Sequence, residues 1–201
     1  MQDLLTFELL KQNIKDRMVE RLIRRIKKHD RQAMAELYQQ YVELLSSVCY
    51  RYVPSDNDAK DVLQNSFVKI FTAIPTFDYQ GDKAFYTWMI KIVTNEALGF
   101  LKERKRLSFV DINESTFQQT ADDPPVEGLS ADEIHQLVSQ LPDGYRTVLN
   151  LFVFEGYSHQ QIGEMLGIKA ATSASQFYHA KCILAKKIKN LMEKKNGKRL
   201  E

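Results

Sequence analysis

Apolar periodicity is the tightest constraint on what this chain can fold into. Ala33, Leu37, Tyr41, Leu44, Leu45, Val48 and Tyr52 recur at three- and four-residue intervals, a spacing that gathers them on one face of a helix and that the two-residue period of a strand cannot match. Pro54 closes this stretch, and Asp56 or Asp58 can cap the next helix. There Ala59, Val62, Leu63, Phe67, Ile70, Phe71 and Ile74 hold the same period up to Pro75. A polar loop, TFDYQGDK, separates it from a third run with Phe85, Trp88, Met89, Ile92, Val93, Ala97, Phe100 and Leu101 on one face. Helices with one apolar stripe each must bury it against one another, so these three and an N-terminal helix are expected to form a compact bundle.

A second helical block follows an interruption. The segment from Leu107 to Leu129 lacks sustained periodicity, carries five acidic residues and no Lys or Arg, and contains the Pro124-Pro125 pair. It reads as an acidic linker, too long for an ordinary helix-helix connection. Ser130 and Glu133 then form a capping-box pattern ahead of Ile134, Leu137, Val138 and Leu141. Pro142, Asp143 and Gly144 make a turn, a further helix bears Tyr145, Val148, Leu149 and Phe152, and Gly156 suits a left-handed stop. The fold class is therefore all-α: an N-terminal helical bundle over 1–106, a flexible acidic linker over 107–129 and a C-terminal helical domain over 130–195.

Several function classes are disfavoured. No apolar run reaches the roughly 18 to 20 residues of a membrane span, and the N-terminus lacks signal-peptide architecture, so a cytoplasmic protein without membrane insertion is expected. Cys49 and Cys182 make no disulfide framework, and there is no CxxC or HExxH pattern. His179 and Cys182 can share a helix face, but two ligands do not make a metal site. No nucleophile-base pair or carboxylate cluster stands out, so no catalytic residue, metal or cofactor is expected, and the chain is read as a non-enzyme. The net charge of +2 is uninformative, but its distribution is not. Basic clusters at Arg17–Lys28, at Lys102–Arg106 and from Lys181 to Arg199 flank the acidic segment.

A DNA-binding motif accounts for the C-terminal cluster. In YSHQQIGEMLGIKAATSASQFYHAKCILAKKIKNLM, Ser158 and Gln161 make a second capping box, and Ile162, Met165 and Leu166 give a buried face. Gly167 permits a sharp turn, and Ile168 plugs the space before a long second helix. This is helix-turn-helix spacing, although a helical hairpin that merely packs can imitate it. In such units the second helix enters the major groove, where polar side chains meet base edges and basic ones meet phosphate. Thr172, Ser173, Ser175, Gln176, Tyr178, His179 and Lys181 are the candidates.

Residues Ala33 to Arg106 resemble the core-binding and promoter-melting region of sigma-70 family RNA polymerase sigma factors, above all the extracytoplasmic-function (ECF) group. The matching strings are AMAELYQQYVELL, DAKDVLQNSFVKIF and AFYTWMIKIVTNEALGFLKERKR, in the family's order and spacing. Ser130 to Met192, with LPDGYRTVLNLFVFEGYSHQQIGEMLGI, resemble the region that binds the upstream, minus-35 promoter element. The resemblance implies a transcription initiation factor that delivers core RNA polymerase to promoter DNA, with magnesium and catalysis residing in the polymerase. The alternative is a helix-turn-helix regulator that acts without polymerase docking. That reading leaves DAKDVLQNSFVKIF unexplained.

Taken residue by residue, the resemblance implies that Asp58, Asp61, Gln64 and Asn65 lie on a face that docks the polymerase, where carboxylates could pair with arginines. An ordinary solvated face remains the alternative. It places the minus-10 element at the loop and along the following helix, with Tyr79, Lys83, Thr87, Trp88, Lys91, Asn95 and Lys102 as candidates. Bases of separated strands can stack on aromatic rings while lysines hold phosphates. Phe85 and Trp88 also lie on the apolar stripe and read as core, so Asn95 is the better base reader. The acidic linker resembles the family's connector, either a phosphate mimic in polymerase channels or a plain tether. The family further suggests an anti-sigma partner, which the amphipathic first twenty residues could contact, although an extra packing helix accounts for them as well. Two departures stand out. Gly99 replaces a usually polar residue, and Lys169, Ala170, Ala171, Ala174 and His179 stand where relatives carry a Ser cap, Glu-Gly and several cations. Fewer cations release fewer counterions, so weaker upstream DNA binding is expected.

Overall fold

A computed structural model of the chain describes residues 18–104, 107, 109 and 128–197. Arg17, Lys105, Arg106, Arg199, the first seventeen residues and nearly all of the acidic linker lie outside the described residues. Within them all regular structure is helical. Helix α1 covers 18–26; then come α2 (Arg31–Tyr52), α3 (Asp56–Ala73), a 3-10 turn (Ile74–Thr76) and α4 (Asp82–Glu103). They are followed by α5 (Ala131–Ser139), α6 (Asp143–Val153), α7 (His159–Leu166) and α8 (Ala170–Gly197). The chain divides into two compact units, Met1–Tyr50 with Ser55–Ala97 and Arg51–Pro54 with Leu98–Glu201. That division crosses α4, whereas the charge pattern breaks after Arg106.

The first unit is built around the apolar stripes. Val19, Ile23 and Ile26 of α1, Leu37, Tyr41 and Leu45 of α2, Val62, Phe67 and Ile70 of α3, and Phe85, Met89 and Val93 of α4 are all buried. Leu44 is an exception: periodicity assigns it inward, yet it is 38% exposed. The corner between α1 and α2 is closely specified. His29 takes a left-handed conformation (φ 62°), and Asp30 Oδ1 caps α2 by accepting from the amides of Gln32 (2.9 Å) and Ala33 (3.1 Å). Arg25 spans the corner, donating to Asp30 Oδ2 at 2.7 Å and to Glu36 Oε2 at 3.1 Å. The hydrogen bonds from Arg25 and these two amides hold the Asp30 carboxyl below its ordinary range.

Two helix starts differ from expectation. Ser55, not an aspartate, is the N-cap of α3, and its side chain makes no capping bond. Asp56 and Asp58 instead sit in the first turn, where carboxylates favour the positive end of the helix dipole, and Asp56 pairs with Lys60 at 2.6 Å. Helix α4 starts at Asp82, one turn ahead of its apolar run. Further along, a Cβ on Gly99 would meet nothing within 4 Å. Gly99→Ala is therefore expected to stabilise the fold by about 0.5–1 kcal/mol through reduced unfolded-chain entropy. A chemical denaturation midpoint that stays put or falls would contradict this.

In the second unit, Leu137, Val138 and Leu141 from the α5 region pack with Leu149 of α6 and with Ala180, Leu184 and Ile188 of α8. Both capping boxes form. Ser130 Oγ accepts from the Glu133 amide at 3.2 Å while Glu133 Oε2 accepts from the Ser130 amide at 2.9 Å. Ser158 and Gln161 repeat the pattern at α7, at 3.3 and 2.9 Å. Gly167 ends α7 at φ 72°, and Gly156 has the same left-handed φ two residues beyond the C-cap of α6. Phe152, expected inward, is 36% exposed, while Leu151 is fully buried.

Candidate functional site

The loop between α3 and α4 is held from several sides. Phe77 packs its ring 4.5 Å from Trp88 and 5.4 Å from Phe85, and the Phe77 carbonyl accepts a hydrogen bond from Lys27 Nζ at 2.7 Å. Tyr79 donates its hydroxyl to Asp82 Oδ1 at 2.6 Å. Below the loop Tyr41 meets Phe85 edge-on at 6.0 Å, and burial, followed by the Asp82 carboxylate, pushes the Tyr41 phenol up to about 12. Phe85 is fully buried, so it is core; Trp88 is half-buried and stacks on Phe85 at 5.6 Å. Much of the aromatic surface that the composition suggested for base stacking is thus used to hold the loop itself.

Along α4, the exposed residues form a continuous stripe. Lys83, Thr87, Lys91, Asn95, Gly99 and Lys102 are all exposed at three- or four-residue steps. The acid nearest Asn95 in sequence, Glu96, is engaged in an ion pair with Lys69 of α3, which leaves the stripe with three lysines and two neutral hydrogen-bonding side chains. On α3, Asp61, Gln64, Asn65 and Val68 are exposed and Asp58 is half-buried. The same periodicity makes them a second stripe, with Val68 at 59% exposure adding an apolar centre.

In the helix-turn-helix, small residues let the helices close tightly. An added Cβ on Gly163 would lie 2.7 Å from the Ile168 carbonyl oxygen, so α7 approaches the turn more closely than alanine permits. His159 stacks on Phe152 at 4.5 Å with an 11° interplanar angle, and its Nδ1 lies 3.0 Å from Ser173 Oγ. Burial holds the imidazole below its ordinary value. The structure separates the seven α8 candidates. Thr172 (6%), Ser173 (0%), Ser175 (1%) and Gln176 (0%) are buried, which corrects the expectation that they present hydrogen-bonding groups to DNA. Helix α8 lies against both α6 and α7, and its first two turns are small enough to sit inside that packing. Tyr178, His179 and Lys181 are half-exposed. His179 lies 5.8 Å from Tyr145 and 5.6 Å from Tyr178, and Lys181 folds over the Phe177 ring at 5.9 Å. Among the described residues, no three of His, Cys, Asp or Glu gather as a metal site, and no helix is long and apolar enough to cross a membrane.

Comparison with known proteins gives these surfaces a context. Residues 37–107 match the model of Sigma-70 region 2, and residues 131–181 that of Sigma-70, region 4. The RNA polymerase sigma-H factor of Pseudomonas aeruginosa is 30% identical over 86% of this chain and 95% of its own length. The chain belongs to the ECF group of the sigma-70 family. The ECF sigma factor SigW of Bacillus subtilis is 27% identical over 87% of this chain and 98% of its own. A solved structure of CnrH in complex with the cytosolic domain of CnrY covers 87% of this chain and 97% of that one, at 18% identity and a TM-score of 0.46. As a sigma factor, the protein serves promoter recognition and transcription initiation.

For this sigma factor, the contact that sequence reasoning missed is Lys27. It belongs to a basic cluster that composition marked only as charge, and its partner lies fifty residues away. No local pattern encodes such a pairing. The basic tail of α8 is likewise more engaged than a solvated run: Lys187 donates to Gln140 at 2.8 Å and Lys195 to Glu133 at 2.8 Å, while Lys186 and Lys189 are exposed.

Proposed function

We propose that this sigma factor docks on core RNA polymerase through the exposed stripe of α3 and holds the minus-10 element on the α3–α4 loop and the α4 stripe. The observation that carries this reading is the α4 stripe, because Lys83, Thr87, Lys91, Asn95 and Lys102 stand exposed on one side of one continuous helix beside a braced loop. Lysines at that spacing can follow a phosphate backbone, while Asn95 can reach a base edge. On α3, Asp58, Asp61, Gln64 and Asn65 supply carboxylate and amide acceptors for basic residues of a partner, around Val68 as an apolar contact. The region 2-like part thus carries polymerase binding and melting. The region 4-like part carries upstream contacts, narrowed to Tyr178, His179 and Lys181 with help from the α8 lysines. Catalysis belongs to the polymerase, and the factor itself is a non-enzymatic specificity subunit working in the cytoplasm. An anti-sigma protein is a further expected partner.

Run-off transcription tests the proposal. Purified core polymerase, with and without the sigma factor, is offered genomic promoter fragments, and transcripts that appear only with the factor are expected. DNA binding without any dependent transcript or co-purification with core would instead indicate a helix-turn-helix regulator that works without polymerase.

A further inference from the structure

We infer that Lys27 is a positioning residue for promoter melting: from the turn that follows α1 it fixes the backbone of the α3–α4 loop in the shape that accepts separated DNA. This rests on the reading that the loop meets the minus-10 element. Three observations support it. First, the Lys27 ammonium donates to the Phe77 carbonyl at 2.7 Å, at the point where the 3-10 turn Ile74–Thr76 gives way to extended backbone. A carbonyl there has no helical partner downstream, and a charged donor is the stronger kind of hydrogen bond. Second, the residue so held is the one whose ring packs against both Trp88 and Phe85, so the backbone and the side chain of Phe77 are each held by a separate contact. Third, Lys27 itself is well placed. The corner that follows it is set by the left-handed His29, the Asp30 cap and the Arg25 bridge to Asp30 and Glu36, which anchors the end of α1 to α2.

The inference separates two roles for a surface cation near DNA. A lysine that contacts phosphate contributes to affinity for any DNA and to the salt dependence of binding. A lysine bonded to a loop carbonyl contributes to loop order, and so to the step that needs the loop, strand separation. Its loss leaves initial binding unchanged. Because Lys27 is exposed, replacing it does not disturb the core.

The test compares wild-type holoenzyme with K27M, K27R and K83A, a variant in the first turn of α4 beside the loop, on a promoter fragment selected by the wild-type holoenzyme from a random-sequence library. Binding is read by filter retention across a salt series, and melting by permanganate reactivity of thymines. K27M is expected to lower the melted fraction about three- to tenfold, the range for loss of one hydrogen bond, with duplex affinity and salt slope unchanged; K27R is expected to restore much of the melting. Unchanged melting by K27M would overturn the positioning role, as would reduced affinity with a shallower salt slope, which marks a phosphate contact. Failure of the underlying reading looks different: K83A then melts and binds promoter DNA like the wild type, and the start of α4 beside the loop is not where the minus-10 element is held.

Discussion

Asp61→Arg is expected to weaken binding of the sigma factor to core RNA polymerase by roughly tenfold to a hundredfold, while leaving its helicity and unfolding midpoint unchanged. Asp61 is exposed in the middle of α3, and its neighbours on the stripe, Gln64, Asn65 and Val68, are exposed as well. On the proposed docking, removing the carboxylate deletes one charge-assisted contact, and placing a guanidinium there sets like charge against basic groups of the polymerase. Like-charge juxtaposition in an interface costs several kcal/mol when desolvated and less at a wet rim, which gives about 1.4–2.8 kcal/mol for this range. Asp61→Asn should give a smaller loss in the same assay. Titration of labelled sigma variants with core polymerase reads both, and equal affinity of wild type and D61R would return the α3 stripe to ordinary solvated surface.

The second large effect is on stability. Gly163→Ala is expected to destabilise the helix-turn-helix by about 1–3 kcal/mol, since overpacking of this kind forces backbone to move. The added methyl would meet the Ile168 carbonyl oxygen at 2.7 Å and the Ala170 amide nitrogen at 3.4 Å. Both are backbone atoms of the turn between α7 and α8, so neither can swing aside as a flexible side chain would. The turn must open, tilting α8 away from α7. Differential scanning calorimetry should show a lower melting temperature for the variant, and promoters that depend on upstream contacts should lose more transcript than promoters that do not. A midpoint equal to wild type would mean that the turn relaxes freely. The contrast with Gly99→Ala, where the same methyl enters open space and stabilises, makes the pair a test of local geometry rather than of glycine content.

Much of this architecture could be read in advance. Apolar period marked α2, α3 and α4 because a repeated three- and four-residue spacing has one geometric meaning. The capping boxes at Ser130 and Ser158 and the left-handed Gly167 were legible because each is a local arrangement whose parts lie within a few residues. Burial of polar residues was not. Thr172, Ser173, Ser175 and Gln176 have the composition of a DNA-reading surface, and nothing in a single sequence distinguishes a serine facing solvent from one small enough to let helices close. Leu44 and Phe152 mark the converse, apolar residues at core spacing that finish near the surface. The Lys27–Phe77 contact was invisible because it depends on how α1 is placed over the loop.

On the proposed reading, the packing of α8 also limits how much promoter information this protein can read upstream. Four of its seven candidate readers are inside the domain, leaving Tyr178, His179 and Lys181 nearer the surface. A specific base contact discriminates by about 1–3 kcal/mol, so a short reading head tolerates many upstream sequences that a longer one would reject. On the proposed reading, selection on promoters of this factor acts mainly on the downstream element. Upstream sequence is then free to drift among its targets, and a regulon can gain members through changes near the start site alone.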